Sequence, residues 1–361
     1  MKTHAFALSF LLIFNIAYGQ QVDSLSIPTD GQFQLISICA QKLPDQAQLS
    51  IAIIKDGEVN FYGVKKEDDS LTPIDNAQKV FEIGSITKVF TATLLAKQVL
   101  ENKVKLDDNI NDYLDYQLKD NIKITFEQLA THTSGLPRVP ISLSSPTLNL
   151  ENPYKDYDEN KLEIYLTEKL KLNAAPGEKS SYSNLGYGLL GYLEGLIENS
   201  SYEDLLQSQI FSKYHMTNST TNRDDVQHIL VKGLNDNGQE VPNWDMAVHM
   251  GAGGILSTVE DLSKFALAQF DNNNKELNLT RQAHFNIEDN YSIGLGWGLI
   301  KVASGEEWIW HNGGTGGYTS SMIINTRTKN GIIVLSNISA LGKLTSNIGD
   351  LSHKLMTILE Q

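Results

Sequence analysis

The chain has 361 residues, a formal net charge of −14 and a single cysteine, Cys39. So acidic a surface argues against nucleic acid or anionic membrane as a partner, and a lone cysteine excludes an internal disulfide or a cysteine-based metal site. With 41% hydrophobic residues, no low-complexity tract and no internal repeat, the chain is an ordinary globular one, long enough for a large core in two lobes.

Residues 1–19 read as a secretory signal peptide. Lys2 gives a positive start, FALSFLLIFNI (6–16) an apolar run too short to span a bilayer, and Ala17-Tyr18-Gly19 a small-residue cleavage site. The expected mature chain starts near Gln20 and is periplasmic or secreted. No cysteine follows the predicted cut to carry a lipid, and no later apolar run approaches the length of a membrane span.

LSIAIIKDGEVNFYGV (49–64) predicts two strands joined by a two-residue turn at Asp56-Gly57. A helical apolar spacing then begins at or just before Ser85 and runs through ITKVFTATLLAKQVLENK. ITFEQLATHTSGLP (124–137) reads as a short helix stopped at Ser134-Gly135 and Pro137, residues 138–160 as loop, and 161–172 as a helix. Pro176-Gly177 breaks the chain before another helix from about Leu185.

Strands return in LGWGLIKV, EWIWHN, YTSSMIINT and GIIVLSN, and an amphipathic helix over about 345–359 ends the chain. The order of strands, helices, strands and a helix suggests an α/β domain built from both ends of the chain around a helical insertion. The expected division is 20–84 with 251–361 for the α/β part and 85–250 for the helical part, with an active site between them.

Three short patterns bear on chemistry. Ser85-Ile86-Thr87-Lys88 is the one S-x-x-K in the chain. Taken alone it describes a serine capping a helix as well as it describes a nucleophile beside a base. Residues i and i+3 share a helix face, so Lys88 can reach the Ser85 hydroxyl, and a helix N-terminus stabilises developing negative charge. Tyr182-Ser183-Asn184 is the one Y-x-N, between a Pro-Gly break and a helix. His311-Asn312-Gly313-Gly314 ends a strand-like run, with glycines that would let a substrate approach the backbone.

In these patterns the chain resembles the serine β-lactamase and penicillin-binding protein superfamily, in particular its class C β-lactamase branch, which carries S-x-x-K, Y-x-N and K-T-G in this order. THTSGLP (131–137), APGEKSSYSNLGYGLLG (175–191), GAGGILSTVEDLSKF (251–265) and HNGGTGGYTSSM (311–322) look like stretches of the same family, so the resemblance runs from about residue 45 to 340. It implies an α/β (α+β) fold: an antiparallel sheet flanked by N- and C-terminal helices, with an inserted, mainly helical domain. By position it implies Ser85 as nucleophile, Lys88 and Tyr182 sharing the proton transfers, and Asn184 on the substrate amide. His311, Asn312 and Gly313 would lie along the substrate, and the backbone N–H groups of Ser85 and Gly314 would form the oxyanion hole. His311-Asn312-Gly313 departs from the usual K-T-G, whose lysine and threonine help bind a β-lactam carboxylate.

Other patterns fail their own tests. Gly186-x-Gly188-x-x-Gly191 lies in a helical stretch without a βαβ unit and reads as close helix packing. The eight histidines form no zinc pattern and G-x-S-x-G is absent. His132 reads as a partner for loop backbone, and Trp308 and Trp310 as strand core or cleft wall. The expectation is a monomeric, exported serine hydrolase that needs no metal or organic cofactor. It would act on a small-molecule β-lactam, with D-peptides or carboxylic esters as the alternative. A catalytically silent peptidoglycan sensor on the same fold is a third reading, against which the intact Ser85, Lys88, Tyr182 and Asn184 stand.

Overall fold

The computed structural model describes residues 28–140 and 151–361. The expected signal peptide and part of the 138–160 loop lie outside the described residues. In chain order the strands are β1 (Gln48–Lys55), β2 (Glu58–Glu67), β3 (Ser70–Pro73), β4 (Phe81–Glu82), β5 (Leu256–Ser257), β6 (Phe285–Glu288), β7 (Tyr291–Ile293), β8 (Gly298–Lys301), β9 (Glu307–Gly314), β10 (Thr319–Asn325) and β11 (Asn330–Ser336). Nine of them form one antiparallel sheet in the order β3-β2-β1-β11-β10-β9-β8-β7-β6, while β4 and β5 pair with each other.

Strand β1, from near the start of the described chain, pairs with β11 from near its end, Leu49 opposite Ser336 through to Ile54 opposite Gly331. The β1–β2 turn places Asp56 at φ +53 and Gly57 at φ +85, the two left-handed residues that the Asp-Gly pair predicts. Side chains then alternate between two cores. Ile51 and Ile53 pack with Leu351 and Leu355 of the C-terminal helix Ser346–Leu359 and with Ile36 of the helix Asp30–Gln41. Ala52 and Ile54 face the other way, onto Phe90, Leu262 and Phe265. Covered on both faces, β10 and β11 are buried throughout, which is why GIIVLSN reads as a nearly unbroken apolar run.

This is the mixed α/β arrangement expected, with helices from both chain ends on one side of an antiparallel sheet. Between β4 and β5 the chain is mainly helical, and Leu95, Phe126, Leu129 and Leu189 form a separate core there. The helix expected over 161–172 is Glu159–Ile164 continued by a wider turn, Tyr165–Lys169. Strands β3 and β6 carry no clear apolar alternation and are mostly exposed; their pairing comes from the neighbouring strand.

The glycines of 186–191 do serve close packing. A Cβ on Gly191 would fall 2.9 Å from Gly251 Cα. The helix Asn184–Glu198 thus meets Met250–Gly253 backbone to backbone, which brings the Ala252 carbonyl under Lys88.

Candidate active site

Ser85 lies in a single 3₁₀ turn, Gly84–Ile86, that runs straight into the helix Thr87–Leu100. A capping role for Ser85 is overturned: neither helical start carries a side-chain cap bond, and the Ser85 hydroxyl faces Lys88 instead. The turn is held on three sides. Ser320 Oγ donates to the Ile83 carbonyl at 2.8 Å, Ile83 N–H donates to the Ile255 carbonyl at 3.1 Å, and Ile255 N–H donates to Thr87 Oγ1 at 3.1 Å.

Glycines let β9 press against this turn. Gly84 sits at φ +50, and a Cβ there would be 2.4 Å from Gly314 N. A Cβ on Gly313 would stand 2.9 Å from Ser85 N, so a side chain at either position would displace the strand. Pairing of β8 with β9 ends at Gly298 opposite Trp310, which leaves His311–Gly314 with a free edge. Thr315 N–H donates to the Tyr318 carbonyl at 2.9 Å; antiparallel alternation from that bond turns Gly313 toward β10 and aims the Gly314 N–H at the free edge. Ser85 and Gly314 thus present backbone N–H groups on either side of one narrow gap.

Lys88 is fully buried. Its Nζ lies 3.0 Å from Ser85 Oγ, 3.0 Å from Asn184 Oδ1 and 2.6 Å from the Ala252 carbonyl. Burial, reinforced by the Arg138 charge, holds this amine well below the usual lysine range. The geometry then determines where its lone pair points. Carbonyl oxygens can only accept, so a neutral amine spends its two N–H groups on Asn184 and Ala252 and turns its lone pair to the Ser85 hydroxyl.

Tyr182 is half-buried, its ring centroid 4.8 Å from Lys88 Nζ. Burial pushes its phenol up, while a hydrogen bond with Ser85 and then the Arg138 charge oppose the rise. Tyr182 therefore keeps its proton at neutral pH, with its ring beside the amine that contacts Ser85. Asn184 starts its helix behind the N-cap Ser183, and its Nδ2 donates to Tyr154 Oη at 3.2 Å. Its side chain is shared between Lys88 and Tyr154.

His311 is 8% exposed, with Nδ1 2.6 Å from the Asn312 carbonyl. That contact makes Nδ1 the protonated nitrogen of the neutral ring. Burial first, and then the Lys88 charge, lower its pKa to about 3. The imidazole is neutral throughout the physiological range and supplies no cation to the strand. Asn312 is exposed. Beside Tyr182 and His311 opens a cavity of about 210 Å³ walled by Trp310, Tyr291 and Ile293, while Trp308 is buried against His353 of the C-terminal helix.

The structure thus brings Ser85, Lys88, Tyr182, Asn184 and the His311–Gly314 strand end together from three parts of the chain. It adds supports that the sequence did not single out. Tyr154, in a stretch without periodicity, gave no signal. Glu82, the lone charge in the apolar FEIG, was detectable: its buried carboxylate accepts from Asn243 Nδ2 at 2.7 Å and from Trp244 N–H at 3.1 Å. His132 serves loop backbone as expected, its Nδ1 accepting from Ser183 N–H at 3.1 Å. Among the described residues no group of three or more His, Cys, Asp and Glu could hold a metal ion, and no helix is long and apolar enough to cross a membrane.

Comparison with known proteins identifies the family and the fold. A family model described as Beta-lactamase matches residues 39–347. Protein flp of Staphylococcus aureus (strain MRSA252) is 26% identical over 313 residues, 81% of this chain but 59% of the relative; the chain therefore spans about three-fifths of that protein's length. Among solved structures, the octameric penicillin-binding protein homologue from Pyrococcus abyssi aligns with a TM-score of 0.73 at 25% identity, over 91% of this chain and 76% of that one. The beta-lactamase/D-alanine carboxypeptidase from Pseudomonas syringae aligns with a TM-score of 0.74 at 21% identity, over 90% and 98%, a likeness of fold.

Proposed function

The chain belongs to the beta-lactamase family, and from that premise we propose that it is an exported serine hydrolase working through a Ser85 acyl-enzyme. The proposed substrates are β-lactam amides, as for a class C-type β-lactamase. The observation that carries the reading is the position of Lys88, whose neutral amine can aim its lone pair at Ser85 and nowhere else.

In the proposed reaction Ser85 Oγ attacks the substrate carbonyl carbon as its proton passes to Lys88 Nζ. The oxygen that gains charge sits between the N–H groups of Ser85 and Gly314. Tyr182, whose ring lies beside Lys88, passes a proton to the leaving nitrogen as the C–N bond breaks, and is resupplied from Lys88. Water then attacks the ester carbonyl, its proton returns through the same pair, and Ser85 leaves as the hydroxyl. Asn184 and the free edge of β9 would hold the substrate amide and carbonyl.

His311 favours a second reading, a D-amino-acid peptidase such as a D-Ala-D-Ala carboxypeptidase, or a carboxylesterase, because a neutral imidazole replaces the usual lysine. Steady-state kcat/KM on a penicillin, a cephalosporin, a D-Ala-D-Ala peptide and an activated ester separates them. The first reading predicts the highest value on a β-lactam; a higher value on peptide or ester replaces it with the second. Export would remove residues 1–19. An octamer, the state named for the Pyrococcus abyssi neighbour, is the alternative to the expected monomer, and light scattering distinguishes them.

A further inference from the structure

The site lacks a cation where a family lysine would stand, yet one unpaired cation projects at its mouth. Arg138 is exposed, and its guanidinium carbon lies 5.0 Å from the centroid of the Tyr182 ring. Its backbone is fixed to the site. The Arg138 carbonyl accepts from Asn184 N–H at 2.8 Å and Leu185 N–H at 3.2 Å, and the preceding Pro137 carbonyl accepts from Ser183 Oγ at 2.7 Å. The chain's other arginines are bonded within the fold: Arg223 to Asp245, Arg281 to Gln269 and Asn278, Arg327 to Glu306. Among the described residues no carboxylate pairs with Arg138, on a chain of net charge −14.

We propose that Arg138 is a specificity-determining residue that reads an anionic group, a carboxylate, on the substrate of the Ser85 site. The proposal rests on the hydrolase reading above. Lys88 cannot serve, being buried and committed to three partners, and His311 carries no charge there. A guanidinium offers paired donors that match a carboxylate, and the stacked Tyr182 ring limits the conformations it must give up to bind one. Anchoring of Pro137 and Arg138 to the start of the Asn184 helix keeps that charge in register with the residues proposed to hold the substrate amide.

The test pairs two chemically matched probes, a thioester depsipeptide ending in a free carboxylate and its methyl ester, on wild type, Arg138→Gln and Arg138→Lys. Wild type favours the acid. Arg138→Gln lowers the acid-to-ester ratio of kcat/KM by about 10- to 100-fold, mainly through KM, as loss of a charge-assisted hydrogen bond does, and Arg138→Lys keeps part of the ratio. An unchanged ratio overturns the proposal. So does an equal fall in kcat for both probes, which would make Arg138 a tuner of Tyr182. Calorimetric binding of both probes to Ser85→Ala, with and without Arg138→Gln, reads the same preference without turnover. If wild type cleaves neither probe, the hydrolase reading fails, while the calorimetric preference still decides the role of Arg138.

Discussion

Lys88 Nζ stands 3.0 Å from Ser85 Oγ, and its other two partners, Asn184 Oδ1 and the Ala252 carbonyl, can only accept hydrogen bonds. An ammonium would satisfy all three contacts as a donor. Removing one proton leaves the lone pair a single direction, toward the serine. The backbone contact of Gly191 with Gly251 sets the Ala252 carbonyl in place, so a packing feature between two helices determines the protonation chemistry at a third.

Burial of Lys88 predicts a pH-dependent stability difference. Its folded pKa is depressed, so between that value and the free-lysine value near 10.4 the unfolded chain binds the extra proton. Wild-type stability relative to Lys88→Met therefore rises with pH in that window, by at most about 1.4 kcal/mol per unit, and is flat below it. Urea unfolding of both proteins at several pH values measures the difference; a difference independent of pH up to 10 would show that Lys88 is not depressed.

Tyr182→Phe keeps the ring on which Lys88 and Arg138 lie and removes only the hydroxyl. Turnover should fall by about 100-fold or more with a small change in KM, the size expected for losing a proton-transfer group. A wild-type kcat would remove Tyr182 from the mechanism.

His311→Lys would place an amine that can carry charge beside Lys88, whose protonated form already acts on His311. Like charges disfavour protonation, so the Lys88 pKa falls further. Because activity needs neutral Lys88, the rate rises with pH through that pKa, and in the variant the acid limb moves to lower pH. The same change should raise the preference for β-lactams over esters. A limb that stays in place, or moves up, contradicts the charge coupling.

Gly191→Ala tests the helix contact under Lys88. The added Cβ falls 2.9 Å from Gly251 Cα, and overpacking of this kind costs about 1–3 kcal/mol. Both the urea midpoint and the acylation rate should fall, since moving Gly251 moves Ala252; lost stability with full activity would separate packing from chemistry.

The sheet was legible where turn chemistry or burial left a mark. Asp56-Gly57 announced its hairpin, and the apolar runs of β10 and β11 announced strands covered on both faces. Strands β3, β6 and β7 were not legible, because their pairing depends on neighbours rather than on their own pattern. In the site, Ser85, Lys88, Tyr182 and Asn184 could be read as short motifs at fixed spacing. The Ala252 carbonyl could not, since a backbone acceptor has no residue type. Arg138 was equally silent: an arginine after Leu-Pro looks like any loop residue until its backbone is seen bonded to Asn184. His311 was visible as a departure, but its neutrality depends on burial, which sequence does not display.

The central claim, that Ser85 carries the acyl group, is tested most directly by intact mass spectrometry. Wild type and Ser85→Ala are each mixed with a penicillin, a D-Ala-D-Ala peptide or an activated ester and quenched within seconds. An adduct of acyl mass is expected on wild type with at least one compound, mapping to Ser85, and none on Ser85→Ala at an unchanged melting temperature. No adduct on wild type with any of the three, or the same adduct on Ser85→Ala, would contradict it.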